Sequence, residues 1–253
     1  YDSFAGRKTM NDRLGKLKKR RMIKLKSVIY LISMMTLAGC SGQKQASVAV
    51  EEQSGQWILG PFVRPEGVNP VISPQPTTFQ CPMRKQPVRW EESDTFNPAA
   101  TVKDGKIVGL YRAEDNSAQG IGKRTSRIGY AESTDGVTMS QADAPVLFPS
   151  EDDFKEIEWE GGCEDPRVAM TEDGLYVMLY TAWNRNLPRL AVATSRDLKN
   201  WTKHGLAFAK AYNGRFANIA SKSASIVTGV KDGRLVIEKV AGKYFMYWGE
   251  NAV

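Results

Sequence analysis

From Phe96 to the end of the chain, short apolar and aromatic runs are broken by Asp-Gly pairs. Ala100-Thr101-Val102 and Ile107-Val108-Gly109-Leu110-Tyr111 flank Asp104-Gly105. Val168-Ala169-Met170 and Leu175-Tyr176-Val177-Met178-Leu179-Tyr180 flank Asp173-Gly174, and Ile226-Val227 and Leu235-Val236-Ile237 flank Asp232-Gly233. Asp-Gly suits the positive φ values of a tight turn, so each flanked pair predicts a β-hairpin. A fourth pair is Asp135-Gly136. No stretch after Phe96 holds a capped helical period. The acidic run over residues 151–158 suits either one short helix or a solvated loop.

The pattern repeats. Arg127-Ile128-Gly129-Tyr130-Ala131-Glu132-Ser133-Thr134-Asp135 matches Arg189-Leu190-Ala191-Val192-Ala193-Thr194-Ser195-Arg196-Asp197 at an offset of 62. Tyr111-Arg112-Ala113 recurs as Tyr180-Thr181-Ala182, 69 on, and Tyr247-Trp248-Gly249 lies another 67 on. A unit of roughly 60–70 residues with four strands predicts an all-β fold built from β-propeller blades, and the repeat argues against a β-sandwich. The third unit lacks its Ala-x-Ser-x-Asp strand, and two and a half units do not close a ring. The expectation is therefore the N-terminal part of a longer protein, or else a naturally truncated product. Residues 57–95 carry seven prolines and read as extended, irregular chain lying across a domain.

Charge changes the picture only at the N-terminus. The chain of 253 residues has a formal charge of +7. Ten Lys/Arg against two Asp fall in residues 1–26, so the other 227 residues carry a net −1. No basic footprint for nucleic acid remains there. The basic run Lys16-Leu17-Lys18-Lys19-Arg20-Arg21 precedes an apolar stretch over residues 28–37 and then Ala38-Gly39-Cys40-Ser41. That order is a secretory signal, too short for a comfortable membrane span. Leu37-Ala38-Gly39-Cys40 resembles a bacterial lipobox, which implies cleavage before Cys40 and lipid attachment to its thiol. Residues 1–21 read as an upstream extension, 22–39 as the signal and 40–56 as a polar tether to a domain over 57–253. The expected location is the bacterial envelope, periplasmic or at the cell surface, with a membrane partner through the lipid.

Candidate chemistry centres on Gly161-Gly162-Cys163-Glu164-Asp165-Pro166-Arg167. Two glycines let a ligand approach, and Pro166 biases Asp165 towards an extended backbone. Strict alternation along a strand would send Glu164 and Asp165 to opposite faces. The alternative is a tight turn whose acid pairs with Arg167. Cys163 reads as a small buried residue, Cys81 and Cys163 are not assigned a disulfide, and His204, the only histidine, reads as part of a surface turn. Nothing in the pattern calls for a metal or an organic cofactor.

Asn97-Pro98-Ala99-Ala100, Tyr111-Arg112-Ala113-Glu114-Asp115, Ser126-Arg127-Ile128-Gly129-Tyr130-Ala131, Glu164-Asp165-Pro166-Arg167 and Ala193-Thr194-Ser195-Arg196-Asp197-Leu198-Lys199-Asn200-Trp201 occur in that order. Together they resemble glycoside hydrolase family 130, the β-mannoside phosphorylases and related mannosidases. The resemblance implies a five-bladed β-propeller, about half of it present, with its site in the central funnel. It implies inverting cleavage of β-mannoside oligosaccharides, with phosphorolysis to mannose 1-phosphate as the leading expectation. Inorganic phosphate would then be the co-substrate. It implies Asp165 as proton donor, and Asn97, Arg112 and Lys222 as substrate- or phosphate-binding residues. Ala224 stands after Lys222-Ser223, where the family usually has glycine. Arg112 read without the family is a surface salt bridge to Glu114 or Asp115. Arg189 reads either as part of the anion site or, as its repeat partner Arg127 favours, as structural, and Trp159, Trp183 and Trp248 read as sugar-stacking or buried aromatics. The alternatives are an inverting β-mannosidase, which export favours because a sugar phosphate made outside must be imported, and a non-catalytic sugar-binding lipoprotein.

Overall fold

Asp104 and Gly105 both adopt positive φ (51° and 75°), as a two-residue hairpin turn requires. They join the first long strand pair of the molecule. The structure, a computed structural model, describes residues 62–232 and 234–250. The leader, Cys40 and the whole tether lie outside the described residues. Among the described residues the chain is almost wholly β. A small hairpin, β1 (Thr78–Cys81) and β2 (Gln86–Arg89), comes first. An antiparallel meander follows, β3 (Asp94–Lys103), β4 (Lys106–Glu114), β5 (Ser126–Ser133) and β6 (Ser140–Gln141). After a four-residue helix α1 (Lys155–Glu158) a second meander runs through β7 (Gly162–Met170), β8 (Tyr176–Trp183), β9 (Pro188–Ser195) and β10 (Thr202–Leu206). The third unit holds β11 (Ser221–Ile226), β12 (Thr228–Lys231), β13 (Arg234–Ile237), β14 (Lys239–Val240), β15 (Lys243–Tyr244) and β16 (Met246–Glu250).

The two meanders match strand for strand, as the repeat predicted. Their last turns are closed by the same device. The Asp135 carboxylate accepts from Ser133 Oγ at 2.7 Å and from the Val137 and Thr138 amides at 2.8 Å each. Asp197 accepts from Ser195 Oγ at 3.0 Å and from the Lys199 and Asn200 amides at 2.9 and 2.7 Å. These amide donors hold both carboxyls well below the ordinary carboxylate range. The Ser-x-Asp signature is thus a turn motif, satisfying amides that the sheet leaves unpaired.

The meanders meet at one parallel pair, Ser126 opposite Gly162. Gly162 has φ 114°, and a Cβ there would overlap the Ser126 backbone. Only glycine lets β7 start this close to β5. Leu110, Ile128, Cys163, Met178, Tyr180 and Ala191 interlock between the meanders, each essentially inaccessible to water. Burial of each large aliphatic side chain there contributes about 1.5–3 kcal/mol. Below them Lys203 Nζ bonds Glu158 at 2.5 Å and Asp152 at 2.9 Å, while Tyr180 Oη donates to Glu158 at 2.8 Å. Glu158 is fully buried, and this network anchors α1, so the acidic run is helical over residues 155–158 and a bend and turn over 151–154.

Four readings change. The proline-rich run is not wholly irregular, because β1 and β2 form within it and β3 starts at Asp94. His204 lies in β10, with Nε2 2.7 Å from Thr194 Oγ1, and not in a turn. The hairpin at Asp232 exists as β12–β13, but it is an insertion: β11 pairs with β16 across it. Turn chemistry is local and says nothing about which distant strand completes a pair. The aromatic alignment in the third unit also moves by one residue, since Trp248 and not Tyr247 stands where Tyr180 stands in β8. Cys81 and Cys163 are free and buried. No sheet closes on itself among the described strands.

Candidate active site

The site is built by a backbone irregularity that the first strands of the two meanders share. In β3 the register against β4 shifts between Phe96 and Ala99, so Asn97 and Pro98 both oppose Tyr111. In β7 it shifts between Glu164 and Arg167, so Asp165 and Pro166 both oppose Tyr180. Asn97 (φ 47°) and Asp165 (φ 49°) are left-handed, and each precedes a proline that has no N–H to lose. Left-handed backbone is uncommon for residues other than glycine, though Asn and Asp tolerate it best.

The bulge cancels the alternation expected of a strand. Glu164 and Asp165 do not go to opposite faces; both reach one guanidinium. Arg112 Nη2 lies 2.8 Å from Glu164 Oε1, and Nη1 lies 3.2 Å from Asp165 Oδ1. Asn97 Nδ2 donates to the same Asp165 oxygen at 2.8 Å. Among the described residues Asp165 Oδ2 has no partner, and it is the oxygen left for a ligand.

Arg112 is 4 % exposed, which overturns the surface reading. It stacks over Phe96 with its guanidinium carbon 4.7 Å from the ring centre. Its Nη2 also donates to Glu114 Oε1 at 2.6 Å, and Nε donates to Ser126 Oγ at 3.1 Å. The other proposed partner, Asp115, is taken by Arg127 at 2.9 Å. Arg127 is buried there, with Cys81 Sγ at 3.5 Å, and is structural. Arg124 bridges Glu114 Oε2 at 3.3 Å and Asp94. Arg167 donates to its neighbour Pro166 O at 2.7 Å, so it is not the partner of the acid.

Four carboxylates, Asp94, Glu114, Glu164 and Asp165, thus share two guanidinium groups. The imbalance falls on Glu164. Burial pushes its carboxyl up to about 7, with Asp165 and Glu114 adding to the effect and Arg112 and Ser126 opposing it. A half-protonated buried acid beside a partly exposed one is an arrangement that active sites favour.

The structure therefore brings Asn97, Arg112 and Asp165 together. It does not bring Lys222 to them through any side-chain contact: Lys222 is exposed on β11 and pairs through its backbone with Gly249. Glu114 pairs with Arg112, as its place two residues away suggested, while Ser126, Arg124 and Asp94 join the cluster without having been singled out. Nothing local marks them, because their convergence depends on how β3, β4, β5 and β7 lie side by side. Each tryptophan considered for stacking has a structural partner: Lys155 sits over Trp159, Trp183 Nε1 donates to Gly122 O at 2.8 Å, and Trp248 packs on Phe208. Arg189 bonds Asn218 at 3.0 Å. A cavity of about 400 Å³ borders the bulge at Thr95, Phe96, Pro98 and Tyr111. A larger one, about 930 Å³, opens at the opposite end of β7 near Thr171 and Glu172, away from the carboxylates. Neither cavity is lined by Asn97, Arg112, Glu164 or Asp165.

Comparison with known proteins points the same way. The profile of glycoside hydrolase family 130, described as beta-1,4-mannooligosaccharide phosphorylase, matches residues 67–253. A 1,2-beta-oligomannan phosphorylase from Thermoanaerobacter sp. (strain X514) is 33% identical over 168 residues, 65% of this chain and 49% of that protein. The solved structure of a candidate glycoside hydrolase from Bacteroides ovatus ATCC 8483 is 76% identical, with a TM-score of 0.72, covering 76% of this chain and 55% of that one. Another solved chain is 62% identical, with a TM-score of 0.75, covering 76% of this chain and 54% of that one. It was reported under the statement that the GH130 family of mannoside phosphorylases contains glycoside hydrolases that target beta-1,2 mannosidic linkages in Candida mannan. The chain spans about half the length of the curated relatives it matches.

Proposed function

The chain belongs to glycoside hydrolase family 130, and on that footing we propose that it is part of an inverting enzyme that hydrolyses β-1,2-mannosides, with Asp165 as proton donor. Within the proposed five-bladed propeller, the inner strands β3 and β7 carry the site. Asn97 and Arg112 hold one Asp165 oxygen, leaving the other free to protonate the departing sugar oxygen, directly or through a sugar hydroxyl. Inverting hydrolysis also requires a second carboxylate, about 6.5–9.5 Å away, to activate water. No residue is assigned to that role.

The observation that carries hydrolysis over phosphorolysis is the charge on Arg112. A phosphate nucleophile needs uncommitted cations around it. Arg112 already faces Glu114, Glu164 and Asp165 within 3.2 Å. A phosphate there would meet three carboxylates. The 62% identical relative supports the same choice, and both curated relatives support the β-1,2 linkage. The second reading is phosphorolysis. Lys222, exposed and without an ion pair among the described residues, is its best observation, together with the phosphorylase relatives.

The test uses full-length protein and β-1,2-mannobiose, with and without phosphate. Mannose released equally fast in both supports hydrolysis; phosphate-dependent mannose 1-phosphate establishes the second reading. Asp165→Asn is expected to lower kcat by about 10²–10⁴ with substrate binding retained. Unchanged turnover would remove Asp165 from its role. We also place the protein at the bacterial envelope through a lipid on Cys40, on the strength of Leu37-Ala38-Gly39-Cys40 after the apolar run.

A further inference from the structure

The bulge that makes the site occurs three times. In β11 the register against β16 shifts between Lys222 and Ser225, so Ser223 and Ala224 both oppose Trp248. Ser223 has φ 56°, beside 47° for Asn97 and 49° for Asp165. The matches extend outward: Tyr111, Tyr180 and Trp248 stand opposite the three bulges, and Pro98, Pro166 and Ala224 follow the three left-handed residues. Serine gains nothing locally from left-handed backbone, which costs of order 1 kcal/mol or more where it is sparsely populated. A bulge re-aims one side chain out of the alternating pattern. In the first two of these strands the re-aimed side chains meet, Asn97 on Asp165 at 2.8 Å. In the third, Ser223 is exposed. The strand that carries it is fixed from behind, since Ser221 Oγ accepts from the Leu190 amide at 3.1 Å and Ala224 is buried.

We propose that Ser223 is the third member of the ring begun by Asn97 and Asp165, a positioning residue whose hydroxyl bonds a hydroxyl of the sugar held at Asp165. The choice of a mannoside as that sugar rests on the function proposed above; the equivalence of the three positions does not.

Full-length protein carrying Asp165→Asn, expected to bind without turnover, provides the background. Binding of β-1,2-mannobiose is measured by calorimetry with Ser223→Gly and Ser223→Asn added. Glycine accepts the left-handed backbone freely and removes only the hydroxyl. Ser223→Gly is expected to weaken binding about three- to tenfold, the worth of one hydrogen bond, with an unchanged or higher Tm. Ser223→Asn, which places the first strand's side chain at the third position, is expected to recover most of the loss. Binding by Ser223→Gly as tight as in the background overturns the proposal. So does a loss accompanied by a Tm lowered by several degrees, which would make the effect structural. If the background protein binds no mannobiose at all, the mannoside reading is what has failed, and the proposal falls with it.

Discussion

Replacing Glu164 by Gln tests the electrostatics of the cluster directly. The Glu164 side chain is 11% exposed and 2.8 Å from Arg112. Its carboxyl is raised from an ordinary value of 4.5 to about 7, first by burial and then by Asp165 and Glu114, against the pull of Arg112. A carboxyl raised on folding binds more protons in the folded than in the unfolded chain between those two values. Stability therefore falls as pH rises from 4.5 through 7. At about 1.36 kcal/mol per pH unit, the gap amounts to about 3 kcal/mol. Gln copies the protonated shape and does not titrate. Arg112 keeps Glu114 and Asp165 as partners in the variant. E164Q should therefore match the parent near pH 4.5 and exceed it by about 3 kcal/mol at pH 8. Urea unfolding of full-length parent and variant at four or five pH values reads this out as a diverging pair of midpoints. A stability difference that stays flat across the range, or that turns against Gln as pH rises, would refute the account of Glu164 as an acid ionised at a cost.

Two further predictions concern the frame and the leader. Gly162→Ala should destabilise the protein by more than about 3 kcal/mol or abolish folding, because its methyl group overlaps the Ser126 backbone at φ 114°; thermal unfolding measures it, and a loss below about 1 kcal/mol would show that the β5–β7 junction yields easily. Cys40→Ala should abolish incorporation of labelled fatty acid in cells and release the protein from the membrane fraction, whereas labelling that persists would place the lipid elsewhere or nowhere.

How much of this was legible beforehand follows from the range of each interaction. The Asp-Gly pairs, the Ser-x-Asp turns and the four-strand units were readable because turn chemistry acts over three or four neighbouring residues, and a repeat copies it. Asp165 was readable as a candidate through its resemblance to a family, and Asn97 and Arg112 with it; the structure sets all three in contact. What the chain order could not reveal is which strand lies beside which. That β11 pairs with β16 across a hairpin that is itself correctly signalled by Asp232 is a matter of long-range register. Arg112 looked like a surface cation because Glu114 stands two residues away, yet the fold buries it and adds Glu164 and Asp165 from another meander. Strict alternation would have separated Glu164 from Asp165; one extra residue in β7 turns both onto the same guanidinium. The sequence by itself determined the turns and the repeat, set by short-range backbone preference and side-chain type, and through the family resemblance it singled out Asp165 as the candidate acid. Only the tertiary structure decided the charge balance around that acid, because desolvation and Coulomb energies depend on distances between strands that the chain brings together only when it folds.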